Sequence, residues 1–286
     1  MSDTPGNWGK WGAGDERGTL NYITGEKTRE AAALVRTGKT YPLAIPLKAK
    51  GPIWPSRHKN WHVAMSHNVD GPGPGGGEDI LMMHTHGTTH VDALCHVFSD
   101  GKFYNGHAAK TNLGPRGAQK NAISNVGAIV TKGVLLDVAG HYGVDHLEAD
   151  HEITVEEVDT VALEQGVSIG SGDALLFRTG WLNVWSPDNE EFFDAAQPGP
   201  SLAVAEWAGE KEVAVMAADN SAVEIFPLDV GQVVHQEFIW KQGGYLMELL
   251  DLEALAADKV YEFLFVVAPL NIAMGMGSPI TPLAIC

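Results

Sequence analysis

From Gly133 onward, short apolar runs alternate with capped helical stretches, and that alternation restricts the chain to an α/β architecture. GVLLDV (133–138), DALLFRTG (173–180), EVAVMAADN (212–220) and VYEFLFVVAPL (260–270) read as buried strands. Between them, ITVEEVDTVALEQG (153–166) carries a capping box from Thr154 to Glu157 and closes on Gly166. SLAVAEWAG (201–209) is bounded by Pro200 and Gly209 and reads as a second helix. Upstream, TGEKTREAAALVRT (24–37) predicts a helix capped by Thr24 and stopped by Gly38. TYPLAIPLK (40–48) predicts a strand whose prolines suit a sheet edge. The Gly/Pro-rich tract from Gly51 to Gly77 is expected to hold no regular structure and to act as a mobile lid or substrate loop. The expected fold is α/β, a mixed sheet with flanking helices in one domain spanning 1–286, with no internal repeat.

Composition narrows the function. A chain of 286 residues, 44% apolar, buries roughly three quarters of its unfolded surface and needs no disulfide staples. Its 19 Lys+Arg stand against 36 Asp+Glu, a formal charge of −17, with no basic tract. Nucleic acid and anionic membranes are therefore unsuited partners. No apolar run is long enough to cross a membrane, and MSDTPGNWGKWGAGDERG lacks the pattern of a signal peptide, so a cytoplasmic location is expected. Cys95 and Cys286 are too few for a disulfide framework or a zinc–thiolate site.

HTHGTTHVDALCHV (84–97) holds four of the 12 histidines, and an aspartate, in fourteen positions. Each imidazole carries two nitrogens that need partners, so such a cluster is either a solvated strip or a set of ligands. From His86 the spacing is H-x-x-x-H-x-D-x-x-x-H, through His90 and Asp92 to His96. Imidazole and carboxylate are the ordinary ligands of zinc and manganese. A helix would pair His86 with His90 and Asp92 with His96, whereas a strand would point all four the same way. Both geometries converge side chains. Gly87 permits a close backbone bend, and His84 is assigned to a supporting or structural role.

A metal needs ligands from elsewhere. His58, His62 and His67 lie on the Gly/Pro tract, and His141, His146 and His151 lie in a solvated connection. His235 opens HQEFIWKQ, a helical stretch that ends at Gly243-Gly244. Rising roughly 10 Å along that helix and returning as a strand brings Glu248 level with His235. Glu248 is flanked by Leu246, Met247, Leu249 and Leu250 but also has acidic neighbours, so periodicity leaves it either a ligand or a solvated carboxylate. Trp54, Trp61, Phe98 and Tyr104 are candidate contacts for a flat aromatic substrate.

The stretch His86–His96 resembles the H-x-G-T-H-x-D-x-x-x-H signature of the metal-dependent cyclase family, which includes kynurenine formamidases and isatin hydrolases. WGAGDERGTLNYIT (11–24), FSDGKFYNG (98–106), GDALLFRTGW (172–181), the His235/Glu248 pair and GMGSPITPLAI (275–285) extend the likeness. The resemblance implies a swivelling β/β/α fold and a homodimer or homotetramer. It assigns His86, His90 and Asp92 to one metal, and Asp92 with His235 and Glu248 to a second. His96 becomes the general acid/base. Thr88 stands where glycine is usual, and Leu94 where the formamidases carry proline. These departures bear on the substrate more than on the metal.

The expected activity is metal-dependent hydrolysis of an amide bond in a small aromatic substrate, as in an arylformamidase, with Zn or Mn as cofactor. A divalent ion lowers the pKa of bound water toward about 7 and polarises a carbonyl oxygen. His96 would move the proton to the leaving group. One alternative is opening of a cyclic amide or lactone, as in isatin hydrolases. Another is a non-catalytic metal-binding protein of the same fold, and a third uses Cys95 as a nucleophile with a neighbouring histidine as base.

Overall fold

The computed structural model describes residues 6–186, 192–193, 196–226 and 233–286. Its centre is a nine-stranded mixed sheet. Four parallel strands form the middle: Ile129–Asp137, Ala174–Arg178, Val215–Ala218 and Tyr245–Glu248. Three of them are apolar runs read from the sequence, the fourth such run (260–270) forms an antiparallel strand instead, and the parallel strands are almost wholly buried, as a parallel core requires. Leu135, Leu176, Val215 and Leu246 are fully buried. Truncating such a leucine to alanine costs roughly 2–5 kcal/mol.

Antiparallel strands extend both edges. On one side, Glu262–Val267 pairs with Ile129–Asp137, then Leu283–Ile285 and Thr40–Pro42 follow. On the other, His90–Asp92 lies between Tyr245–Glu248 and Gly277–Pro279. This second edge carries the histidine cluster.

The helices follow their caps. In Val155–Gln165 the Thr154 hydroxyl accepts from Glu157 N, the Glu157 carboxylate accepts from Thr154 N, and Gly166 closes the helix at φ 68°. Leu202–Glu210 starts at Ser201, whose hydroxyl accepts from Val204 N. Gly25–Ala32 packs on Ile129–Asp137 and Glu262–Val267. Lys27 on that helix and Lys132 on the sheet both pair with buried Asp173. Side by side on parallel strands, Arg178 and Asp137 pair at 2.8 Å.

Three expectations need correction. The helix expected over 24–37 spans only Gly25–Ala32, because Cys286 O accepts from Thr37 N and Gly38 N and pulls the following segment onto the sheet edge. The strand expected over 40–48 ends at Pro42, and beyond it only Ala44 bridges to Leu250. The Gly51–Gly77 tract is not unstructured throughout. Trp61–His67 pairs with Gly76–Met82 in an antiparallel hairpin, registered from Trp61↔Met82 to His67↔Gly76. Gly71–Gly75 of the tract form its tip, where the Asn68 amide donates to Pro72 O, Gly73 O and Pro74 O. No helix among the described residues is long and apolar enough to cross a membrane.

Candidate metal centre

The histidine cluster is neither all helix nor all strand. His90 and Asp92 sit on one face of a three-residue strand, and His86 and His96 enter from turns on either side. Gly87 N donates to His84 O in the first turn, and His96 N to Ala93 O in the second. The register sets Glu248 directly across from His90 and Gly277 across from Asp92. A Cβ at Gly277 would lie 2.3 Å from His86 Nε2, so only glycine leaves room for that imidazole.

His235 opens a π-helix, His235–Lys241, a form often found at functional sites. The chain reverses at Gly243 (φ 73°), and Tyr245–Glu248 runs back into the sheet, as the rise-and-return argument expected. Glu248 is therefore not a solvated carboxylate. It is 5% exposed and faces the histidines.

Asp92, fully buried, is the hub. Its Oδ1 lies 3.3 Å from His86 Nε2, 3.6 Å from His90 Nε2 and 4.0 Å from His96 Nε2. Its Oδ2 lies 3.6 Å from His235 Nε2. Glu248 reaches His90 Nε2 at 3.2 Å and His235 Nε2 at 3.4 Å. Such separations match the ligand-to-ligand edge of about 3.3 Å that tetrahedral zinc bonds of about 2.0–2.1 Å generate. Among the described residues two ligand groups emerge, His86/Asp92/His96 and His90/Asp92/Glu248, and both use Asp92.

The donor set fits a cation. Among the described residues neither Asp92 oxygen, nor His86 Nε2, has a hydrogen-bond partner, although all three atoms are buried. A buried carboxylate without donors is costly unless a cation compensates it. Burial lowers His86 and His96 to about 3, which leaves both imidazoles in the neutral, ligating form. Burial opposes the charged form of His235 too, but its hydrogen bonds to Glu224 and Glu248 outweigh this and hold it well above its ordinary value. Asp92 is raised by burial and by the neighbouring Glu248 charge.

Outer contacts aim the rings. His90 Nδ1 meets Thr88 O at 2.6 Å and His86 Nδ1 meets Thr85 Oγ1 at 3.1 Å, which turns each Nε2 inward. His235 Nδ1 donates to Glu224 Oε1, and Val234 N donates to Glu224 Oε2 at 2.7 Å. Glu224 follows the strand Val215–Ala218 on a turn where buried Val223 adopts φ 59°, an outlier for a β-branched residue. Asn220 Nδ2 holds that turn through Pro198 O, Val223 O and Glu224 O. Glu224 escaped sequence reasoning, as did Arg57, which donates to His86 O. Neither stands at a motif spacing from the cluster. The weak signal for Glu224 was its place just beyond the end of a parallel strand, where α/β proteins bind ligands.

A cavity of about 270 Å³ opens over the centre, reaching His90, His96, His235 and Glu248. Trp54 lines it, leaning on Phe193 and Phe226 with ring centroids 5.0 and 5.6 Å away. The other aromatic candidates do not line it. Trp61 is on the hairpin, half exposed. Phe98 faces solvent, edge-on to Phe103. Tyr104 is fully buried, and its hydroxyl reaches Asp15 Oδ2 at 3.2 Å to anchor the N-terminal segment. His84 accepts from His58 N at 3.1 Å and stacks on that ring, a structural role. Cys95 is fully buried, and burial pushes its thiol up to about 12, which does not suit a nucleophile.

A mixed α/β sheet with an imidazole–carboxylate cluster built on one antiparallel edge defines a class of metal-centre architecture, and comparison assigns the family. The Cyclase family model matches residues 41–225, and the chain belongs to that family. A crystal structure described as a novel cyclase is 33% identical, with 99% of this chain and 98% of that chain covered and a TM-score of 0.92. Isatin hydrolase A from Ralstonia solanacearum shares the fold at 21% identity, covering 86% of this chain and 91% of its own, with a TM-score of 0.62. Isatin hydrolase A from Labrenzia aggregata, solved with benzyl benzoate, does so at 20% identity, 89% and 94% coverage and a TM-score of 0.64. No curated protein matches the chain.

Proposed function

We propose that the chain is a metal-dependent hydrolase that cleaves an amide bond in a small aromatic substrate, as an arylformamidase does. The observation that carries this is Asp92, fully buried, with no hydrogen-bond donor on either oxygen and four imidazole Nε2 atoms within 4.0 Å. On the assignment the family resemblance implies, His86, His90 and Asp92 would hold one divalent ion, and Asp92 with His235 and Glu248 a second, whereas the atom separations among the described residues group His86 with His96 and His90 with Glu248 around Asp92. Zn and Mn both suit this donor set. A divalent ion bound there supplies Lewis-acid polarisation of a carbonyl and acidifies the water it holds.

The side chains supply the remaining steps. His96 Nε2, at the cavity wall and neutral, accepts the proton of the attacking water and returns it to the leaving nitrogen. Glu248 and Glu224 fix His235 from both ring nitrogens. Trp54 offers a flat apolar face to the substrate ring and, with Phe226, keeps water from it. The fold shared with isatin hydrolases supports a second reading, opening of a cyclic amide or lactone by the same groups.

Formanilide, isatin and dihydrocoumarin, assayed with the protein as purified, chelated and metal-restored, test both readings. Turnover of formanilide that chelation abolishes supports the first, and turnover confined to the cyclic substrates supports the second. Full activity in a metal-free sample, or none across the panel, sinks the proposal.

A further inference from the structure

Trp54, Ser56 and Arg57 of the turn Trp54–Arg57 line the cavity, and none of them belongs to a ligand group. Arg57 N donates to Trp54 O at 2.8 Å, and Pro55 sits at the second position, where its fixed φ favours such a turn. One corner thus brings Trp54, Ser56 and Arg57 side by side onto the cavity wall. Trp54 is held there by Phe193 and Phe226. The guanidinium bonds the His86 carbonyl through one Nη, which engages only one of its five N–H groups. Among the described residues it forms no ion pair. The two carboxylates on the same wall, Glu224 and Glu248, are engaged by His235 and His90.

From an aromatic face and a planar cation fixed in one turn, we infer that the cavity takes a flat aromatic acid, its ring against Trp54 and its carboxylate on Arg57. A carboxylate matches the guanidinium fork in a way that a neutral carbonyl does not. Arg57 therefore sets specificity. It binds a part of the substrate away from the reacting bond, where binding energy can be used to orient that bond. At about 270 Å³ the cavity is at the small end for ligand sites, which suits one or two rings. The inference rests on the hydrolase reading only in taking this cavity as the substrate site.

The test compares benzoate with benzamide, a neutral molecule of the same shape, titrated against the protein as purified and followed by tryptophan fluorescence. Metal content and circular dichroism are measured for every variant. Wild type should bind benzoate about tenfold tighter, the order expected of a charge-assisted hydrogen bond. R57Q should lose most of that preference with its metal content unchanged, and R57K should keep part of it. No benzoate binding, or equal affinities in wild type, overturns the inference. A full preference in R57Q also overturns it, since the metal would then hold the anion. Loss of metal from R57Q overturns it as well, because the guanidinium would then serve to position His86. Absence of turnover on formanilide and its ring-carboxylated analogue alike would instead sink the hydrolase reading and leave the binding result standing.

Discussion

At the scale of single residues, the proposed roles separate side chains that would hold a cation from one that would move a proton. Asp92 faces four imidazoles, whereas His96 sits farthest from it, at 4.0 Å, and lines the cavity. Asp92→Ala should therefore lose bound metal and activity together. His96→Ala should keep its metal and lose turnover roughly 10²- to 10⁴-fold, the usual loss of a general acid/base. Elemental analysis beside a rate assay decides the pair; metal lost from His96→Ala and retained by Asp92→Ala reverses the assignment. Glu224 would act through His235, whose Nδ1 it holds. In Glu224→Gln one amide group must face either the Val234 N–H or the His235 Nδ1–H donor-to-donor. Metal affinity should fall roughly 10- to 100-fold, as for other carboxylates that orient a ligating histidine. A metal titration of Glu224→Gln that matches wild type would remove its positioning role. His86, His90, Asp92 and His96 were legible because their spacing converges at least some of these side chains in either regular structure. Glu224 and Arg57 were not, because loops carry them in from afar.

At the scale of elements, local signals worked where they were self-contained and failed where a distant segment intervened. The Thr154/Glu157 box and the left-handed Gly166 specify Val155–Gln165 from within fourteen residues, and the structure has all three features. Thr154→Ala removes the acceptor for Glu157 N and should cost about 1 kcal/mol, lowering the melting temperature by roughly 2 °C in a chain of this size. A calorimetric scan checks it, and an unchanged midpoint would mean that packing rather than the cap holds the helix. By contrast, nothing local in TGEKTREAAALVRT reveals that Cys286 O captures Thr37 and Gly38 and ends the helix early. The Gly51–Gly77 tract misled in another way. Glycine and proline dominate its composition, yet most of them lie outside WHVAMSH, in the tip and ahead of the hairpin, and the alternation in WHVAMSH is enough to pair with Gly76–Met82. Glu248 shows the third case. Its acidic neighbours left it open, and only the register opposite His90 places it in the centre.

At the scale of the whole molecule, the hairpin Trp61–His67/Gly76–Met82 is out of keeping with the rest. Two isolated strands are marginal in water unless a further layer covers an apolar face. Alternation and register put Trp61, Met65, Ile80 and Met82 on one face, and they are 49%, 42%, 50% and 63% exposed. The opposite face is more polar, with His62 and Asp79 paired at 2.6 Å. An amphipathic arm with its apolar side uncovered, on a protein otherwise well packed, fits a proposed association surface. It joins the expectation of a homodimer or homotetramer to particular side chains. Two-fold symmetry is the commonest way to cover such a face, because one patch then serves both copies. Light scattering on the purified protein should give a dimer or tetramer mass. Ile80→Asp combined with Met82→Asp puts two charges on the exposed face and should shift the mass to that of one chain. Circular dichroism and metal content should not change, since neither residue touches the centre. A monomeric wild type, or a double variant that stays assembled, would leave the hairpin uncovered for some other purpose.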